Sequence, residues 1–157
     1  NIGHFRAASH LLKKYDGTKA KLWISPPTKM DEKQLKEEGV FETFVTSGAR
    51  TELPGCSLCM GNQARVLAGA TVVSTSTRNF PNRLGDGANV YLASAELAAI
   101  ASIVGELPTH DEYMKYMNEI NPFSNEIYRY LNFDEIPAYV NSANSAEIPT
   151  INIVNPR

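Results

Sequence analysis

With 157 residues, 43% of them apolar and 20% charged, the chain is long enough for one domain with a real core and has the balance of an ordinary globular protein. A formal net charge of −2 argues against a dedicated nucleic-acid binder, which normally carries a basic face. No apolar run approaches the roughly 20 residues of a membrane span, so no membrane partner is expected.

In chain order, Phe5, Ala8, Leu11, Leu12 and Tyr15 recur at helical spacing, with Gly17 as the stop. The first residue is Asn1, close to the start of this pattern, so the chain is expected to be a piece of a longer polypeptide. Lys21 to Ser25 is a short strand candidate stopped by Pro26 and Pro27. Thr28 is placed to cap a second helix with Lys33 to Glu38 on its solvated face and Gly39 beyond its end. Val40 to Val45 is apolar but too short to decide between helix and strand, and Ser47 to Arg50 reads as a loop. Gln63 to Ala68 has helix-forming composition. Thr71 to Ser76 is β-branched and reads as a buried strand, Arg78 to Gly87 as a polar loop, and Val90 to Leu92 as a second short strand. Ser94 caps an Ala/Leu/Ile-rich helix ending near Gly105. Thr109 and Glu112 have the spacing of a capping box ahead of Tyr113, Met117 and Ile120, and Ser124 to Tyr130 adds a short helix. Residues 137–157 lack periodicity and read as an irregular tail after a domain spanning 1–136. Helices alternating with short apolar strands predict an α/β fold with a mainly parallel sheet flanked by helices. Ligands gather at the carboxyl ends of the strands in such sheets.

Chemistry concentrates in two segments. Cys56 and Cys59, the only cysteines, lie in Pro54-Gly-Cys-Ser-Leu-Cys-Met-Gly-Asn62. A helix starting just after them would favour their thiolate forms, which bind metals and attack disulfides. Spacing alone leaves four readings open: a thioredoxin-like redox pair, half of a zinc site, an iron–sulfur cluster with a further cysteine outside the chain, or two small buried residues. Close cysteines without a disulfide framework suit a reducing compartment, so a cytoplasmic location is expected. The second segment is Ser74-Thr-Ser-Thr-Arg-Asn-Phe-Pro-Asn-Arg83. Arg78 and Arg83 after a strand could bind carboxylates through their forked donors, or simply be solvated loop residues. His4 and His10 do not share a ligand spacing, and His110 falls inside the capping box. Tyr113, Tyr116, Tyr128 and Tyr130 read as core and interface residues.

Together the cysteine turn, the segment Val72-Val-Ser-Thr-Ser-Thr-Arg-Asn-Phe-Pro-Asn-Arg-Leu-Gly85 and the helix-forming stretch Ala88 to Ile100 resemble the aconitase family in its bacterial aconitase B branch. The resemblance runs from Asn1 to about Phe133. It implies the family's iron–sulfur α/β domain and a hydro-lyase that interconverts citrate and isocitrate through cis-aconitate on a [4Fe–4S] cluster, often with 2-methylisocitrate dehydratase activity. Cys56 and Cys59 match two of the family's three cluster ligands, the third being expected a few residues upstream of Asn1. Arg78 and Arg83 match the arginines that bind substrate carboxylates. An asparagine often precedes the first of these in the superfamily; here Thr77 stands there, and that residue's role is not carried over. The catalytic base and further substrate contacts are expected in other domains, so the chain alone is expected to be inactive. An isopropylmalate-isomerase-like hydro-lyase, an apo-form regulator binding messenger RNA, and a thiol redox protein are the alternatives.

Overall fold

The computed structural model describes residues 1–56, 58–59, 61, 64–78, 80–129 and 137–147. Helix α1 (Ile2–Leu12) opens the chain, capped by the Asn1 side chain, which accepts from the His4 amide at 3.3 Å. Its apolar stripe puts Ala7, Leu11 and Leu12 out of water. The helix packs against α2 (Lys29–Glu37), α3 (Val40–Thr46), α4 (Ala95–Val104), α5 (His110–Ile120) and α6 (Ser124–Ile127). Leu35, Phe44, Ile100 and Ile120 close this core around α1. Each such side chain contributes roughly 1.5–3 kcal/mol by leaving water.

The helix starts follow local chemistry. The Thr28 hydroxyl accepts from the Asp31 amide at 3.1 Å, and the Ser94 hydroxyl from the Leu97 amide at 3.1 Å. Thr109 and Glu112 form both halves of the capping box. Gly105 ends α4 in the left-handed region, at φ 94°. Val40 to Val45, undecided from sequence, is helical within α3 and buries Phe44 beside Phe5.

A buried cation lies at the margin of this core. Arg6 is 8% exposed and makes a paired contact with Glu38, Nε to Oε2 and Nη2 to Oε1, both at 2.7 Å. Gln34 and Arg129 donate to the same carboxylate, at 3.0 and 2.8 Å. The Arg6 hydrogen bonds outweigh the opposing effect of burial and, with Gln34 and Arg129, hold the Glu38 carboxyl down at about 2, from an ordinary 4.5.

The sheets are small. Strand β1 (Trp23–Ile24) pairs in parallel with β2 (Arg50–Thr51), and α2 and α3 form the crossover between them. Strand β3 (Thr71–Ser74) pairs in parallel with β4 (Asn89–Leu92), Thr71 opposite Asn89 and Ser74 opposite Leu92. The fold is thus α/β with short parallel sheets, as two separate pairs among the described residues. Strand β3, expected to be buried, is half-buried or exposed along its length, because a two-stranded sheet covers little of itself. Parallel strands need a crossover of a dozen or more residues, usually a helix. Between β3 and β4 that crossover is the irregular, arginine-bearing segment 75–88. Pro137–Ser145 forms helix α7, where the sequence predicts an irregular tail; residues 148–157 and Tyr130 lie outside the described residues. No described helix is long and apolar enough to cross a membrane.

Replacing Glu38 with Ala leaves the Arg6 cation buried without its carboxylate and should lower stability by about 3 kcal/mol. Urea unfolding followed through Trp23 fluorescence measures this. Because the folded Glu38 carboxyl titrates near 2 instead of 4.5, its contribution is complete above about pH 4.5 and fades as pH falls towards 2. The gap between wild type and Glu38→Ala should therefore shrink over that range.

Candidate metal centre

The cysteine turn is anchored to the end of β1. The Ser25 hydroxyl donates to the Leu53 and Gly55 carbonyls at 2.8 and 3.1 Å, and the Gly55 amide donates to the Pro26 carbonyl at 2.8 Å. From there the chain turns tightly. The Cys59 amide donates to the Cys56 carbonyl at 3.2 Å, and the Gly61 amide to Leu58 at 3.3 Å. Both thiols are free, Cys56 exposed and Cys59 half-buried. Ser57, Met60 and Asn62 lie outside the described residues.

The helix predicted over Gln63 to Ala68 does not form over 64–67, and Gln63 itself is not described. Instead the Val66 amide donates to the Leu84 carbonyl and the Gly69 amide to the Asp86 carbonyl, both at 2.8 Å. These long-range bonds use donors that an intrahelical ladder would need, so tertiary pairing overrides propensity. The helix dipole invoked for the thiolates is therefore not supplied by this segment. A hydroxyl stands near Cys59 instead: Ser76 Oγ lies 3.1 Å from Cys59 Sγ.

Arg83 joins the cysteine turn to the crossover 75–88. Its side chain is only 2% exposed. One guanidinium nitrogen, Nη1, donates to the Cys59 carbonyl at 2.5 Å, and Nη2 donates to Ser74 Oγ at 3.2 Å. Its Nε is buried and has no hydrogen-bond partner among the described residues. Among the described residues no carboxylate pairs with it. The two segments also touch through backbone. A Cβ at Gly61 (φ +65°) would fall 2.2 Å from the Arg83 carbonyl oxygen. Arg78 is exposed on the same loop, its amide donating to Ser76 Oγ at 3.4 Å; Asn79 is not described. Asn82, at φ 60°, bends the loop, and its Oδ1 accepts from the Gly87 amide at 2.8 Å.

The histidines stay apart from this centre. The His4 ring meets Tyr128 edge-on, His10 packs on Phe123 with its centroid 4.6 Å away, and His110 lies beside Asp111. Burial, then Lys14 and Lys13, push the His10 pKa down. Among the described residues no three His, Cys, Asp or Glu side chains are grouped to hold a metal. The donor set present is two thiols, which suit a soft, thiolate-ligated centre but do not complete one. Ser74 and Ser76 were not singled out by sequence, although a serine two residues after a serine at a strand end was there to be read.

Comparison with known proteins decides the family. The aconitase family (aconitate hydratase) model matches residues 1–105. The chain belongs to the aconitase family. It is 59% identical over 152 residues to aconitate hydratase B of Pseudomonas aeruginosa and 58% identical over 151 residues to that of Escherichia coli, 96% of this chain in each case. Similarity to the 3-isopropylmalate dehydratase large subunit of Flavobacterium johnsoniae is lower, 38% over 108 residues, covering 68% of this chain and 23% of that protein. The likeness thus falls with the aconitase B branch. The chain spans about 18% of the length of the aconitate hydratases it matches.

Gly61→Ala should separate the turn from the loop. Left-handed backbone adds roughly 1 kcal/mol and the clash 1–3 kcal/mol. An opening that is easier by about 3 kcal/mol is about a hundredfold more populated. Trypsin cleavage after Arg83, followed by mass spectrometry, should accelerate accordingly, while cleavage after the exposed Lys33 should not change.

Proposed function

We propose that this chain is the cluster-bearing wall of an aconitate hydratase of the B type, acting on citrate, cis-aconitate and isocitrate within a longer protein. The observation that carries the reading is Arg83: a cation removed from water, with no described carboxylate beside it, held against a turn that presents two free thiols. A buried cation is costly unless an anion balances it. A thiolate-ligated cluster and a tricarboxylate substrate both supply that negative charge.

In this reading Cys56 and Cys59 hold a [4Fe–4S] cluster together with a third cysteine from outside the 157 residues. When bound, the cluster supplies a Lewis-acidic iron for the departing hydroxyl. Arg78, exposed at the mouth of the crossover, binds a substrate carboxylate through its forked donors. Arg83 adds its positive charge to the same end of the site while fixing the Cys59 carbonyl. Together they orient the substrate so that the hydroxyl, not a carboxylate alone, faces the metal. The base that removes the neighbouring proton belongs to another part of the protein. Exposed Leu53, Leu67, Phe80, Tyr91 and Leu92 around the two segments form the surface against which those parts pack. Isopropylmalate isomerisation is the second reading, favoured by the 38% identity to the dehydratase large subunit but by a wide margin the weaker match.

In the full-length protein, Cys56→Ser or Cys59→Ser should abolish the visible iron–sulfur absorbance together with activity; an unchanged spectrum would contradict the ligand assignment. Arg78→Lys should keep the absorbance and lower kcat/KM for citrate by about 10- to 100-fold, the worth of a lost charge-assisted contact. Wild-type kinetics in that variant would remove Arg78 from the site.

A further inference from the structure

The two thiols have different surroundings. Cys56 is exposed and Cys59 half-buried. Cys59 is gripped from both ends, Arg83 Nη1 on its carbonyl and Ser76 Oγ on its sulfur. The grip closes on itself. Arg83 Nη2 donates to Ser74 Oγ at 3.2 Å, and the Ser76 amide donates to the same oxygen, also at 3.2 Å. The ring therefore runs from Cys59 Sγ to Ser76, through Ser74 to Arg83, and back to the Cys59 carbonyl.

Ligation fixes the direction of the Ser76 bond. A ligating thiolate has no proton, so at 3.1 Å the hydroxyl must be the donor. A lone pair of Ser76 Oγ faces the Arg78 amide at 3.4 Å, which leaves the hydroxyl hydrogen free to point at sulfur. We infer that Ser76 is a positioning residue whose hydroxyl donates to the Cys59 thiolate and weakens Cys59 as a donor to iron. This rests on Cys56 and Cys59 being the ligands and goes beyond it in naming the group that tunes Cys59. A hydrogen bond to a cluster sulfur draws charge away from the sulfur–iron bond and favours the more reduced cluster. Since Ser76 is two residues from Arg78, the loop that carries the proposed carboxylate contact also sets the electronics of one ligand.

The test uses the full-length, cluster-loaded enzyme with Ser76→Ala, Ser76→Thr and, as control, Thr75→Ala, whose side chain is exposed on the same loop. Resonance Raman spectra in H2O and D2O read the iron–thiolate stretches, and an EPR-monitored titration reads the cluster midpoint potential. Ser76→Ala should move one iron–thiolate stretch to higher frequency, abolish its D2O shift and make the midpoint more negative. Ser76→Thr, which keeps the hydroxyl, and Thr75→Ala should match wild type. A Ser76→Ala cluster with the wild-type stretch and midpoint would overturn the inference, as would equal cluster loss in Ser76→Ala and Ser76→Thr. Cys59→Ser separates the two levels: a cluster that survives it removes the ligand reading and this inference together. A cluster lost in Cys59→Ser but unaltered in Ser76→Ala removes the inference alone.

Discussion

A guanidinium buried between two irregular segments is the constraint on which the site depends. Strands β3 and β4 are parallel, so the chain must cross over between them, and residues 75–88 do so without a helix. Such a loop has no ladder of its own to hold it. Arg83 supplies the tie, reaching the Cys59 carbonyl on one side and the Ser74 hydroxyl on the other. Gly61 lets the two backbones touch, and the Val66 and Gly69 amides extend the seam through Leu84 and Asp86. The thiol turn and the arginine loop, which leave different sheets, become one surface by this means.

The rest of the domain is built differently. The apolar core lies around α1 and draws its buried side chains from 2–44 and 99–127, with the Arg6–Glu38 pair at its margin. Among the described residues, 50–88 add no side chain to that cluster; Ala64 and Leu84 are buried apart from it, and hydrogen bonds tie the segments together. Polar ties specify geometry sharply but add little stability each. The division suits a site whose groups must be held at fixed positions.

Local signals in the sequence were legible where the chemistry is local. Thr28, Ser94 and the Thr109–Glu112 box mark helix starts that the structure reproduces. The family was legible too, in the conjunction of the cysteine turn with the arginine loop, and the family model bears it out. What escaped was set by distant partners. Ala64 to Leu67 has helix-forming residues, but the Val66 amide answers to Leu84 and the Gly69 amide just beyond to Asp86. Val40 to Val45 was too short to show a period, and its helix is decided by the burial of Phe44. An arginine in a polar loop is ordinarily solvated, so nothing local to Arg83 announces that it is 2% exposed. Ser76 acquires its meaning only when Cys59 is brought to it.

Iron-edge anomalous diffraction from crystals of the full-length protein with citrate is the most direct measurement of the central claim. The account predicts iron density bonded to Cys56 and Cys59 Sγ, with a citrate carboxylate between that density and Arg78. Iron elsewhere, or citrate bound away from the crossover 75–88, would contradict it.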